Sequence, residues 1–311
     1  MMAAMSTTPS SSASLAGRPI GFIGTGIMGG SMAGHLLAAG CSLAVHNRTP
    51  GKAAALIAAG ARWHDTPAAV AAASEVVITM LGFPSDVEQI YFGTGSTPGV
   101  LAAARPGTLV IDMTTSSPQL AERIAAAAAD RGLAAVDAPV SGGDVGARNA
   151  TLVIMAGGAP EAFERARPIF ERLGRSATLL GAAGAGQRCK LANQVAVAVG
   201  MVAWCEALAL ARAGGLDPAA VQQVISGGAA GSWALTNLAP RALSGDFAPG
   251  FLVRHLVKDI RLARDCVRES GPELPGLATA ERLYDAVVAA GCGDEGTQAL
   301  LRLYEKSVGG P

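Results

Sequence analysis

Gly24-Thr25-Gly26-Ile27-Met28-Gly29 decides the fold, because of what stands on either side of it. Before it, Pro19-Ile-Gly-Phe-Ile23 is a short apolar run of the kind that makes a buried strand; after it, residues 30–39 carry the apolar stripe of a helix. A strand, a glycine turn and a helix start form a cradle for dinucleotide phosphates. Gly24 permits the tight turn, Gly26 lets a pyrophosphate approach the backbone, and Gly29 lets helix and strand pack closely. The first helical turn, opening with Ile27 and Met28, offers free N–H groups and a partial positive charge. These five residues are therefore expected to bind the cofactor. With 40 glycines in the chain, the GxGxxG spacing alone carries little; its strand–helix setting carries the assignment.

The chain has 311 residues, enough for two domains. Half of it is hydrophobic, 15% is charged, and 24 basic residues balance 24 acidic ones. A neutral chain has no basic excess to neutralise nucleic-acid phosphates, so nucleic acid is not an expected partner. No apolar run is read as a membrane span. Residues 1–17 are rich in Ser and Ala and lack the features of a signal or transit peptide, so a disordered tail and a cytoplasmic protein are expected. The five cysteines (Cys41, Cys189, Cys205, Cys266 and Cys292) have no metal-ligand spacing and read as reduced thiols. His64 and His255 read as surface or packing residues, and no metal site is expected.

Strands are predicted over residues 42–46, 76–81, 108–113, 133–137, 152–156 and 177–180, with helices over 51–59 and 118–130 between them. Such alternation implies a mostly parallel, doubly wound sheet. After Gly181 the pattern changes. Residues 186–213 contain no proline and read as one helix of roughly 40 Å. Residues 218–225, 232–238, 251–269, 277–290 and 297–306 read as further helices. The expected organisation is an α/β Rossmann-type domain over 18–181, then an all-α domain over 182–311 joined by the long helix.

The second strand ends near the adenosine ribose, where NAD-selective sites place a carboxylate for the 2′-hydroxyl. This chain has Asn47-Arg48-Thr49 instead. Nothing there repels a 2′-phosphate, Arg48 offers it a guanidinium fork, and Asn47 and Thr49 can add neutral hydrogen bonds. NADP(H) is expected over NAD(H).

Two further segments carry chemistry. In Asp137-Ala-Pro-Val-Ser141-Gly142-Gly143, a strand's carboxyl end leads into a hydroxyl and two unobstructed glycine N–H groups. On shape alone this is equally a glycine turn and a carboxylate grip. In Gly184-Ala-Gly-Gln-Arg-Cys-Lys190-Leu-Ala-Asn193-Gln194, Lys190, Asn193 and Gln194 are three and four residues apart and share a helix face. A lysine entering so apolar a helix is costly unless it has a purpose.

Together the GFIGTGIMG, DAPVSGG and GAGQRCKLANQ segments resemble the β-hydroxyacid dehydrogenases, a family that includes 3-hydroxyisobutyrate dehydrogenase and tartronate semialdehyde reductase (2-hydroxy-3-oxopropionate reductase). The resemblance spans residues 19–306 and continues through 227–232, 246–251 and Lys258-Asp259. The KLANQ and GGAAGS stretches look closest to the reductase branch. The resemblance implies a small carboxylate substrate, held by Ser141, Gly142 and Gly143. It implies Lys190 as general acid or base at the carbonyl oxygen, with Asn193 or Gln194 positioning lysine and substrate. Many relatives have Asn four residues after the lysine, where this chain has Gln194, so which amide acts stays open. Thr115 matches a position near the nicotinamide, Met80 and Leu81 are expected to line the cofactor channel, and Lys258 to close over it. Met113, Trp233 and Phe251 are candidates for selecting among substrates. The family and the apolar long helix suggest a homodimer or homotetramer.

Imine reductases share this architecture but generally lack a lysine at the Lys190 position, which disfavours that alternative. A 6-phosphogluconate dehydrogenase would need a longer helical domain. A non-catalytic NADP-binding protein would have no use for Lys190 beside the Ser-Gly-Gly segment.

Overall fold

The computed structural model describes residues 15–268 and 271–306. Strands β1 (Pro19–Ile23), β2 (Ser42–His46), β3 (Arg62–Trp63) and β4 (Val76–Thr79) are linked by helices α1 (Ile27–Ala38), α2 (Ala54–Ala58) and α3 (Pro67–Ala72). Helix α4 (Pro84–Phe92) leads into a small ribbon of β5 (Gly93–Thr94) and β6 (Thr97–Pro98), then α5 (Val100–Ala103). There follow β7 (Leu109–Asp112), α6 (Pro118–Ala129), β8 (Ala134–Asp137), β9 (Val140–Ser141), α7 (Gly143–Arg148), β10 (Leu152–Gly158), α8 (Pro160–Leu173) and β11 (Gly174–Leu179). The strands lie in the order β11-β10-β8-β7-β4-β1-β2-β3, with β9 added to β10. Pairing is parallel from β8 through to β3 and antiparallel where β10 meets β8 and β9.

Helices cover both faces of this sheet, so its strands read as unbroken apolar runs. In β1, Ile20 and Phe22 join one core with Met32 and Leu36, and Ile23 joins the opposite core with Val70 and Val77. The chain leaves β1 towards β2 on one side and returns to β4 on the other. The crevice beyond the carboxyl ends of β1 and β4 is thus the switch point at which open sheets bind ligands.

Beyond the sheet run α9 (Ala185–Ala213), α10 (Pro218–Ser226), α11 (Trp233–Asn237), α12 (Ala239–Leu243), α13 (Val253–Val267), α14 (Pro275–Ala289), a 3₁₀ turn over Thr297–Leu300 and α15 (Leu301–Lys306). Met201, Trp204, Cys205 and Leu208 of α9 bury against Leu256, Ile260 and Tyr284 to form a separate helical core. The fold is a Rossmann-type domain followed by a helical domain. Helix α9 corrects one expectation: with 29 residues and a mean hydropathy of 1.7 over its best window, it is long and apolar enough to cross a bilayer. Only 44% of that window is buried inside the molecule.

Other boundaries move as well. The strand predicted over 76–81 ends at Thr79, which releases Met80 and Leu81 into the crevice, and the last strand starts at Gly174 rather than 177. The helix predicted over 251–269 begins at Val253 and ends at Val267, and Glu269 lies outside the described residues. Most of the expected tail, residues 1–14, also lies outside them. Leu15, however, is buried in the sheet core, and the Gly17 N–H donates to the Gly40 carbonyl at 2.8 Å, so the packed chain begins before residue 18.

Candidate active site

The glycine turn is built as its sequence demands. Gly24 has φ +98°, and a Cβ there would collide with the Met80 carbonyl, so the β1–α1 turn lies directly on the β4–α4 loop. A Cβ on Gly29 would collide with the Gly24 carbonyl, which holds the start of α1 against the turn. Gly26, the helix N-cap, meets nothing within 4 Å and has no side-chain cap. The Thr25 hydroxyl is buried without a partner among the described residues. An open concavity, uncapped helix N–H groups and an orphaned hydroxyl fit a dinucleotide diphosphate. The Asn47–Thr49 loop is ordered from the same turn. Asn47 Oδ1 accepts the Thr25 N–H at 3.0 Å and Asn47 Nδ2 donates to the Thr49 carbonyl at 2.9 Å. The Asn47 amide thus holds the loop, leaving Arg48 and Thr49 as the groups that face outward.

A buried polar cluster, missed in the sequence, fixes the next part of the crevice. Asp112 Oδ1 accepts from the Thr79 hydroxyl at 2.8 Å and from the Thr114 N–H at 3.1 Å. The Thr114 hydroxyl oxygen accepts the Leu81 N–H at 2.9 Å. Burial pushes the Asp112 carboxyl up to about 6, against those hydrogen bonds. Through Thr114 the loop bearing Met80 and Leu81 is tied to the loop bearing Thr115. Thr114→Val leaves the Leu81 N–H unpaired and lets the loops separate. The cofactor KM is expected to rise about tenfold, with kcat at saturation little changed and Thr114→Ser restoring the KM. A steady-state cofactor titration of the three proteins checks this, and an unchanged KM in the valine variant removes the loop-spacing role.

Helix α9 begins against the sheet, its first turn pressed on the ends of β8 and β10. A Cβ on Gly157 would lie 2.6 Å from Asp137 Oδ1 and 2.7 Å from the Gly186 nitrogen. Asp137 accepts the Gly184 N–H at 2.8 Å and the Gln187 N–H at 2.9 Å, so the end of β8 anchors the helix start. Gln187 reaches back to the Ser116 N–H and the Thr114 carbonyl, each at 2.8 Å.

One turn on, Lys190 is 7% exposed. Burial lowers its ammonium from 10.5 to about 8; the negative charge of Asp259 opposes that fall, and the positive charge of Lys258 adds to it. Asp259, from α13, is almost wholly buried. It accepts from Gln194 Nε2 at 2.6 Å and pairs with Lys258 Nζ at 3.0 Å, while Lys258 Nζ also donates to the Thr115 carbonyl at 2.6 Å. Asn193 Nδ2 donates to Gln194 Oε1 at 2.8 Å. The structure therefore separates the two amides: Gln194 holds the carboxylate, and Asn193, half-buried, keeps its own oxygen for other partners. Lys258 is tied to the Thr115 loop rather than standing free.

The Ser141–Gly143 loop begins in β9 beside β10, with φ +133° at Gly142 and +61° at Gly143. Helix α7, which follows it, touches α1 through His35 Nε2 and the Ala147 carbonyl at 3.0 Å. It reaches the helical domain at Gly250, where a Cβ would stand 2.6 Å from Asp144 Oδ1. A second bridge between the domains is aromatic: His255 lies edge-on to Phe83 at 5.4 Å and 6.4 Å from Phe251. Burial, then Lys258, pushes the His255 imidazole down to about 4, so it packs as a neutral ring. Met113 is corrected as a substrate-selecting candidate, since it is fully buried in the sheet core; Trp233 is 58% exposed at the start of α11.

Residues 19–181 match a family model described as the NAD-binding domain of 6-phosphogluconate dehydrogenase. Residues 184–304 match one described as the NAD-binding of NADP-dependent 3-hydroxyisobutyrate dehydrogenase. The chain is 46% identical to a probable 3-hydroxyisobutyrate dehydrogenase-like 1, mitochondrial, of Arabidopsis thaliana, over 92% of this chain and 85% of that one. It is 39% identical to 2-hydroxy-3-oxopropionate reductase of Escherichia coli, over 92% and 97%. Among solved structures, Mycobacterium tuberculosis 3-hydroxyisobutyrate dehydrogenase with L-serine superposes at a TM-score of 0.82 and 35% identity, over 92% of this chain and 99% of that one.

Proposed function

The chain belongs to the β-hydroxyacid dehydrogenase family and is an NAD(P)-dependent oxidoreductase, and on that premise we propose that it interconverts a small β-hydroxy acid and its semialdehyde, with NADP(H) preferred and Lys190 as general acid. The observation that carries this reading is the buried Lys190, one helix turn past the Asp137 anchor and under the influence of the negative charge of Asp259, which Gln194 and Lys258 hold in place. When bound, the nicotinamide supplies the hydride. Gly24, Gly26, Ile27, Met28 and Gly29 would hold the diphosphate, Met80 and Leu81 would line the cofactor channel, and Thr115 would lie near the nicotinamide. Ser141, Gly142 and Gly143 grip the substrate carboxylate, and Asn193 orients its carbonyl.

In reduction, negative charge accumulates on the carbonyl oxygen. The Lys190 ammonium stabilises that charge and hands it a proton, leaving an alcohol and a neutral amine. Asp259 then favours the return of a proton from solvent. In oxidation the neutral amine takes the proton from the hydroxyl. The site keeps Lys190 titrating near working pH, which suits both directions.

Initial rates with NADPH and NADH against tartronate semialdehyde, methylmalonate semialdehyde, succinic semialdehyde and glyoxylate test the reading. These substrates differ by a methylene or a hydroxyl, and an apolar pocket separates a methylene by only about 1–3 kcal/mol. A strong Lys190-dependent rate with tartronate semialdehyde supports the reductase branch. Silence on all four, with cofactor still bound, overturns the assignment.

Arg48 carries the cofactor preference. Arg48→Ala is expected to raise the KM for NADPH about ten- to a hundredfold, the worth of a charge-assisted hydrogen bond, and that for NADH about twofold or less. Equal effects on both cofactors end this assignment.

A further inference from the structure

We propose that Asp86 is a specificity-determining residue: its carboxylate competes for the Arg48 guanidinium and so moderates the preference for NADP(H) over NAD(H). The proposal rests on the reading of Arg48 given above. Asp86 stands in the first turn of α4, and its two oxygens are engaged differently. Oδ2 accepts the Phe83 N–H at 3.2 Å and closes the helix start, while Oδ1 accepts from Arg48 Nη1 at 3.3 Å. The Asp86 side chain is 24% exposed and pinned by the backbone; that of Arg48 is 89% exposed on a long flexible stem. The carboxylate is therefore the fixed partner and the guanidinium the movable one.

A 2′-phosphate that recruits Arg48 must draw it from Asp86, or share it with Asp86. In either case part of the Arg48 charge stays committed to Asp86 and is withheld from the phosphate. A 2′-hydroxyl makes no comparable claim on the guanidinium. Asp86 thus acts on the ratio of the two affinities rather than on cofactor binding in general. A support role alone, through the start of α4 and the Phe83–His255 contact, moves both cofactors together.

The dissociation constants of NADPH and NADH, read from nicotinamide fluorescence on the full-length protein, test this in wild type, Asp86→Asn, Arg48→Ala and the double variant. Asparagine keeps an oxygen for the Phe83 N–H, so the helix start survives. Freeing Arg48 from its carboxylate partner at the solvent boundary is expected to raise the NADPH preference about fivefold. That gain shrinks as salt screens the pair, and it is absent in the Arg48→Ala background. An unchanged ratio in Asp86→Asn overturns the proposal. So does a lowered ratio, because Asp86 would then be presenting Arg48 to the phosphate. A gain that persists without Arg48 also overturns it. If Arg48→Ala alone leaves the ratio unchanged, the 2′-phosphate reading itself has failed, and the two failures are told apart.

Discussion

Lys190→Ala is expected to lower the turnover number for semialdehyde reduction by about a hundred- to ten-thousandfold, the usual worth of a positioned general acid. Cofactor affinity should stay within about twofold, because the glycine turn and the Asp112–Thr114 cluster hold their positions without this side chain. Stability separates a catalytic role from a packing role. Burial lowers the ammonium from 10.5 to about 8 in the folded protein. The unfolded chain therefore holds this proton more tightly, and the charge penalises folding in full below about pH 8. The penalty fades as pH rises from about 8 to 10.5, so stability gains with pH across that window. Alanine removes the penalty. The variant is thus expected to melt at the wild-type temperature or above it at neutral pH while losing its chemistry. A variant that melts early and keeps its turnover would make Lys190 a packing residue. Single-turnover absorbance at 340 nm and a thermal melt check both halves.

Asp259→Asn is the second large effect. The buried carboxylate raises the Lys190 titration against desolvation, and it also pairs with Lys258 and accepts from Gln194. Asparagine can still accept from Gln194, but it leaves two lysines in one buried site without their counter-charge. A nearby opposite charge commonly moves a titration by about one to three pH units. Losing it carries Lys190 to neutrality or below, and reduction at pH 7.5 is expected to fall about three- to two-hundredfold. Because the cause is protonation, part of the rate should return at pH 6, which a packing defect would not allow. Reduction rates at pH 6 and pH 7.5 measure this; an equal loss at both assigns Asp259 a purely structural role.

Local constraints were legible in the sequence, and long-range ones were not. A positive φ at Gly24 and the close approach at Gly29 act within one turn, so the glycines named the crevice directly. The apolar runs of β1, β4 and β7 named a two-sided sheet. Helix α8 was hidden because Pro168 lies inside it, where the missing N–H and the ring normally break a helix. Strand β3 has two residues, too few for any period. Asp259 entered only as the neighbour of Lys258 in a motif, with no role of its own, since its partner Gln194 is 65 residues away. The same distance concealed how the amides divide their work: spacing put Asn193 and Gln194 on one face, and only α13 packed against α9 assigns Gln194 to the carboxylate. Met113 failed the opposite way, for a residue past a strand's end can still point into the core.

The account stands most directly on the pH dependence of kcat/KM for semialdehyde reduction at saturating NADPH, measured from pH 6 to 10. It predicts a rate that is level at low pH and falls tenfold per unit above an apparent pKa near 8, where Lys190 loses its proton. The limb should move to lower pH in Asp259→Asn. A profile that stays level through pH 10, or one unchanged in Asp259→Asn, would contradict the assignment of Lys190 as the acid.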